Sequence, residues 1–256
     1  MPEPVPFQKA DTIDEVIDRL QQIIDACMRG NSCAGYFPVL YHRVTCRIRE
    51  GILKKEFDDQ SRMERLDVIF ANRYLEAWHR YRQGKPCSLC WKTAFDATIG
   101  SDRIIMQHLL LGINAHINLD LGIAAAETMT GFPVEGIKRD FDRINAILSS
   151  LVDEVQEKIS RASPMLYLLN LNKMSLDDML VRFSINTARN GAWCFATELS
   201  EKKEGEKGNF IHLRDDVVAR LGNSIAHPFP ALRFTVGLIR RTETRNIGTV
   251  IRLLQD

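Results

Sequence analysis

Residues 103–129 read RIIMQHLLLGINAHINLDLGIAAAETM. Ile104, Ile105, Leu109, Leu110, Ile113, Ile117, Leu121 and Ala124–Ala126 do not fall on one stripe. At ~100° per residue they spread over most sides of a helix, and a helix that is apolar all round is buried all round. The stretch therefore predicts a central helix, and a central helix needs other helices to cover it. The rest of the chain supplies them.

Upstream, Thr12-Ile-Asp-Glu15 is a capping box that opens a helix over Ile13–Ile24, closed by Gly30-Asn31. Residues 1–10 are expected to be an extended tail. A second helix covers about 35–53, with Phe37, Leu40, Tyr41, Val44 and Ile48 on one face. A third opens near Ser61 with a box to Glu64, runs to Arg82, and stops at Gly84-Lys-Pro86. A short helix around Trp91–Ala97 leads to the central one. Downstream, helices are expected over 135–161 and over 176–200, the latter capped at Ser175. Residues 201–209, EKKEGEKGN, carry no apolar side chain and two glycines, so they are expected to form a flexible, protease-sensitive loop. Helices near 211–222, 231–242 and 246–254 complete the chain. No period-2 strand pattern and no repeat appears, so the expected fold is an all-α, multi-helix bundle with one domain over 11–256.

The composition narrows the function classes. The 256 residues are 45% hydrophobic and 26% charged, with net charge +1. That charge gives no field for neutralising phosphates, so nucleic acid is not expected as a partner. Arg240, Arg241 and Arg245 are interrupted by Glu243 and read as a solvated face. Six scattered cysteines do not make a disulfide scaffold. No apolar leader follows the Pro-rich start, and individual apolar runs are too short to span a bilayer, so a cytoplasmic protein without membrane partners is expected. The sequence lacks GxGxxG, GxxxxGK[ST], GxSxG and HExxH, which argues against dinucleotide, ATP, serine-hydrolase and zincin chemistry.

Two segments, MERLDVIFANRY (63–74) and QHLLLGINAHINLDLG (107–122), resemble an uncharacterised all-helical bacterial family of unknown function over about residues 12–150. The resemblance implies a helical domain and no activity. The central helix is also similar, in its His116-x3-Asp120 spacing alone, to the metal-binding helix of zinc-dependent phospholipases C and related helical nucleases.

The polar residues of the central helix are where chemistry is expected. His108, Gly112, His116 and Asp120 lie four apart and drift only ~40° per step, so they share one side. Ionisable groups are rarely buried unless paired or ligated. His116 and Asp120, about 6 Å apart in rise, can hold one metal, or the carboxylate can orient the imidazole. His108 lies about 12 Å along from His116 and needs a separate role. Gly112 leaves a notch for a substrate or for a close-packed helix. Asn114 and Asn118 add polar groups. On the third helix Asp67 shares the inward stripe and is a candidate ligand or general base, with a salt bridge to Arg139, Arg143 or Arg182 as its plainer role.

Other motifs read as structure. Tyr41 and Thr45 are packing residues or hydroxyl donors. Glu76-x-x-His79 has di-iron spacing at a polar helix end. Cys87-x-x-Cys90 lacks a second ligand pair, and Trp91 reads as a core anchor. The expectation is a metal-dependent enzyme hydrolysing an ester or phosphoester of a small molecule. His116 and Asp120 would hold zinc, manganese or iron, and Asp67, His108 and Asn114 would act catalytically. The alternatives are an iron-dependent oxidase, a metal-free small-molecule-binding protein or lyase, and a structural module. A homo-oligomer is left open.

Overall fold

The computed structural model describes residues 7–100, 103–163 and 185–255. Among them are eleven α-helices and no strand. They are α1 (Ile13–Arg29), α2 (Tyr36–Leu53), α3 (Gln60–Arg82), α4 (Leu89–Asp96), α5 (Ile105–Ala115) and α6 (Gly122–Thr128). Then come α7 (Lys138–Ala162), α8 (Ile185–Glu201), α9 (Glu204–Ala226), α10 (Pro230–Thr242) and α11 (Ile247–Gln255).

α5 and α6 form one continuous rod, joined by a wider π-helical turn at His116–Leu121. All-round apolarity predicts all-round burial, and the rod is covered on its α5 half by α2, α4 and α9 and on its α6 half by α3 and α8. Taken whole, Ile105–Thr128 is long and apolar enough to cross a membrane by length and composition, although no single apolar run within it is. Most of its apolar window, 83%, lies inside the bundle.

The bundle is tied together by carboxylates that reach across to the starts of other helices. A helix N-terminus exposes unpaired N–H groups and carries a partial positive charge, so a carboxylate there satisfies both. Asp140 of α7 accepts from the backbone N–H of Asp58 at 2.6 Å and of Asp59 at 3.3 Å, just before α3. Asp215 of α9 accepts from Leu89 N–H at 2.6 Å and Cys90 N–H at 2.9 Å, opening α4. Glu243, after α10, accepts from Ile105 N–H at 3.2 Å through both oxygens, opening the central rod. All three are buried. Close backbone approach completes the packing. A Cβ on Gly122 would lie 2.6 Å from Phe195 Cδ1 and 2.8 Å from the Ala192 carbonyl oxygen, so α8 fits this rod only because the position is glycine.

The Thr12 cap forms as expected, with Thr12 Oγ1 accepting from Glu15 N–H at 3.2 Å. Three boundaries differ. α3 begins at Gln60, not Ser61, because the Asp59 carboxylate takes the Arg62 N–H at 3.0 Å. The single helix expected over 103–129 carries the π turn. The stretch 201–209 is not a loop: α9 starts at Glu204. Glu204 and Glu206 sit in its first turn where the helix dipole favours anions, Glu206 accepts from Lys203 N–H at 3.3 Å, and Lys207 pairs with Glu204 at 2.8 Å. The Ser175 cap and Arg182 lie outside the described residues.

Candidate functional site

His116 stands at the start of the π turn, buried in a box of rings. Phe70 of α3 stacks on it, with centroids 3.6 Å apart and planes 11° from parallel. Tyr41 meets it edge-on at 4.2 Å, Phe37 at 5.5 Å, and Trp91 lies at 6.2 Å. Neither ring nitrogen has a hydrogen-bond partner. Buried polar atoms without partners are rare, and each calls for a reason. Burial pushes the imidazole below its ordinary value, outweighing Asp120, which raises it. His116 is therefore a neutral base at neutral pH.

Asp120 lies one turn on. Its Oδ2 is 3.7 Å from His116 Nδ1, and it is 1% exposed. Its carboxylate is held from both sides: Trp91 Nε1–H donates to Oδ2 at 2.7 Å and Arg73 Nε–H to Oδ1 at 2.9 Å. Trp91 is thus a core anchor that also positions the carboxylate. The π turn has a second fastening, because Arg214 Nε–H of α9 donates to the Asn118 carbonyl at 2.9 Å. Wide turns of this kind recur at functional sites.

A small cavity lies beside Gly112, and His116 is not among its walls. Cys33, Phe37, Tyr74, Trp91, His108 and Gly112 are among its walls. The space open to a water's centre is about 20 Å³, room for about one water. His108 Nδ1 and Tyr74 Oη are buried there without partners. Burial, reinforced by Arg103 and Arg240, pushes His108 down to about 4, so it is neutral. The notch at Gly112 is filled by protein: a Cβ there would lie 2.4 Å from Phe37 Cγ.

The structure does not gather all five sequence-predicted residues at one place. His116 and Asp120 are adjacent. His108 borders the separate cavity. Asn114 faces α9, donating to the Val218 carbonyl at 3.0 Å and accepting from Asn118 at 3.0 Å, which is a helix-joining role. Asp67 is buried with both oxygens unpartnered, and desolvation pushes it up to about 7. Its charge acts on Tyr41 and Cys46 of α2. Arg139 and Arg143 bind Asp58 instead.

The remaining motifs resolve locally. Thr45 Oγ1 donates to the Tyr41 carbonyl at 3.0 Å, while Tyr41 Oη stays unpartnered. Glu76 pairs with Arg80 and His79 with Gln83, apart from the rod. Cys87 and Cys90 are free thiols, both pushed up by burial, so neither is a ready thiolate. Among the described residues no three His, Cys, Asp or Glu side chains converge at metal-ligand spacing.

Sequence reasoning offered Arg73 and an inward Phe70 on the third helix but did not pair Phe70 with His116 or Arg73 with Asp120. Their only signal is the i, i+3 spacing that puts them on one face of α3 beside Asp67 and Tyr74.

Residues 13–228 match the model of a family of unknown function, DUF5995. The chain belongs to that family. No curated protein and no solved structure matches it. Membership in DUF5995 agrees with the helical resemblance of its first half and adds no activity, so chemistry must be argued from the side chains.

Proposed function

We propose that this DUF5995 protein is a hydrolase of a small ester or phosphoester in which neutral His116 acts as general base, with Asp120 behind it. The observation that carries this reading is the pair itself: a buried imidazole with both nitrogens unpartnered and one of them 3.7 Å from a fixed carboxylate. Asp120 favours the tautomer with the proton on Nδ1, leaving Nε2 to take a proton from water. Its charge then stabilises the imidazolium that forms. Trp91 and Arg73 keep the carboxylate in place. Phe70 and Arg73 are the two members of the set that are only half-buried, so a substrate reaching His116 would have to come from their side and displace Phe70.

The decisive assay compares p-nitrophenyl acetate and bis-p-nitrophenyl phosphate turnover by the wild type and His116→Gln, with and without chelator. Turnover at least ~100-fold lower in the variant, unaffected by chelator, supports the reading, since a positioned base contributes about that much or more. Equal turnover in both proteins rejects it.

A metal-dependent form of the same hydrolase has one observation in its favour. A separation of 3.7 Å between Nδ1 and Oδ2 is near what two ligands of one ion span. Against it, Arg73 already supplies the positive charge at Asp120. Chelator-sensitive turnover, with near-stoichiometric zinc, manganese or iron that is lost in His116→Gln, would select this form.

A further inference from the structure

The cavity beside Gly112 has two polar atoms in its wall that the described residues leave open. Tyr74 of α3 is 1% exposed and His108 of α5 is 8% exposed. Both line the cavity, and neither Tyr74 Oη nor His108 Nδ1 has a protein partner. The other polar side chains of the wall are engaged. Cys33 Sγ–H donates to the Thr98 carbonyl at 3.5 Å, Thr98 Oγ1–H to the Phe95 carbonyl at 2.7 Å, and Trp91 Nε1–H to Asp120 at 2.7 Å. The space open to a water's centre, about 20 Å³, exceeds the ~10–15 Å³ that one water needs. Burial keeps both open groups neutral, pushing Tyr74 well above its ordinary value and His108 down to about 4. Arg103 and Arg240 bear on His108, but neither lines the cavity. The wall thus carries no formal charge, and an ion would lose its hydration there without a counter-charge to replace it. An apolar guest would leave both atoms bare, at roughly 5- to 150-fold in the folding equilibrium for each. A water donates and accepts at once, so it serves a phenol and an imidazole nitrogen in either tautomer. On one side the wall is formed by Cys33, Ala34 and Thr98, which are only half-buried, so solvent is close at hand.

We infer that this cavity is a binding site for one water molecule, held by Tyr74 Oη and His108 Nδ1, which ties α3 to α5. The site is independent of whether His116 is reactive. It gives His108 a structural task in place of the catalytic one that its sequence position suggested. It also adds a link that direct packing does not supply: α3 packs chiefly on the α6 half of the rod and on the π turn, and the water gives it a polar hold on the α5 half.

Two measurements on the full chain test this. The first is a high-resolution crystal structure, with companion crystals soaked in bromide or pressurised with xenon. A single solvent peak about 2.6–3.2 Å from both Tyr74 Oη and His108 Nδ1, with neither bromide nor xenon in its place, is the expected result. Xenon in the cavity would show it to be dry, bromide would show an anion site, and a peak bonded to only one of the two atoms would break the bridge; each overturns the inference. The second is urea denaturation of Tyr74→Phe, which keeps the ring and removes only the hydroxyl. A hydroxyl bonded to a water contributes to stability, so its loss is expected to raise the unfolding equilibrium constant at least ~3-fold. A hydroxyl buried without any partner is a cost, so its removal would leave that constant unchanged or lower it. That outcome overturns the bridge at Tyr74.

Discussion

At the scale of single residues, the site is an exercise in what burial does to polar groups. Asp67 has no partner for either oxygen and is pushed from 3.8 to about 7 by desolvation. The folded state thus holds that proton more tightly than the unfolded chain. Below about pH 4 both states are protonated and ionisation of the residue adds no cost. Between about pH 4 and 7 the unfolded chain ionises first, so stability falls as pH rises, and above about 7 the cost is complete at a few kcal/mol. Asp67→Asn is expected to raise the melting temperature at pH 8 and leave it unchanged at pH 3.5. A variant that is no more stable at pH 8 would show that the carboxylate has a partner in solution. His108 runs the opposite way. Its pKa is lowered to about 4, so its contribution is present above about pH 6.5 and lost as pH falls through 4. The sequence marked Asp67, His108, His116 and Asp120 as buried ionisable groups because they interrupt apolar stripes. It could not say which neighbours they meet, since those depend on how helices cross.

At the scale of elements, glycines and carboxylates decide how the rod is held. Gly112→Ala would push its Cβ to 2.4 Å from Phe37 Cγ and 2.7 Å from Phe37 Cβ, which is fixed to the α2 backbone, so α2 itself must move, at a cost of about 1–3 kcal/mol or more. Gly122→Ala meets the Ala192 backbone oxygen at 2.8 Å as well as Phe195, so α8 itself must move. Urea denaturation should find both variants destabilised by at least ~1 kcal/mol, and a variant as stable as the wild type would show that its neighbouring helix can give way. Asp215→Ala removes the acceptor for two N–H groups at the start of α4 and is expected to cost ~2 kcal/mol, the upper end for a lost cap, with faster amide exchange at Leu89 and Cys90. None of these long-range caps is visible in the sequence, which signals only caps made by near neighbours, such as Thr12. The same limit explains 201–209. Its composition resembles a loop, but charges placed correctly for the dipole make a helix start, so limited proteolysis is expected to spare residues 204–209.

At the scale of the whole molecule, the DUF5995 match ends at residue 228, yet the chain beyond it is built into the bundle. Glu243 caps the central rod, and Ile251 is buried beside Gly35, where an added Cβ would lie 2.7 Å from its Cδ1. A chain ended after residue 228 is therefore expected to lose its cooperative urea transition, and a truncated chain as stable as the full one would show that α10 and α11 are accessory. The sequence by itself determined the helical class, the central position of residues 103–129 and the polar residues that interrupt them. These follow from local periodicity and from side-chain chemistry, which each segment carries alone. Only the tertiary structure decided that Asn114 serves α9 and His108 faces a different cavity. It also placed Arg73 and Trp91 on Asp120, and only there does the rod widen into a π turn at His116. Each of those outcomes depends on which distant helix supplies the partner, and contacts between helices are set by the packing of the whole bundle.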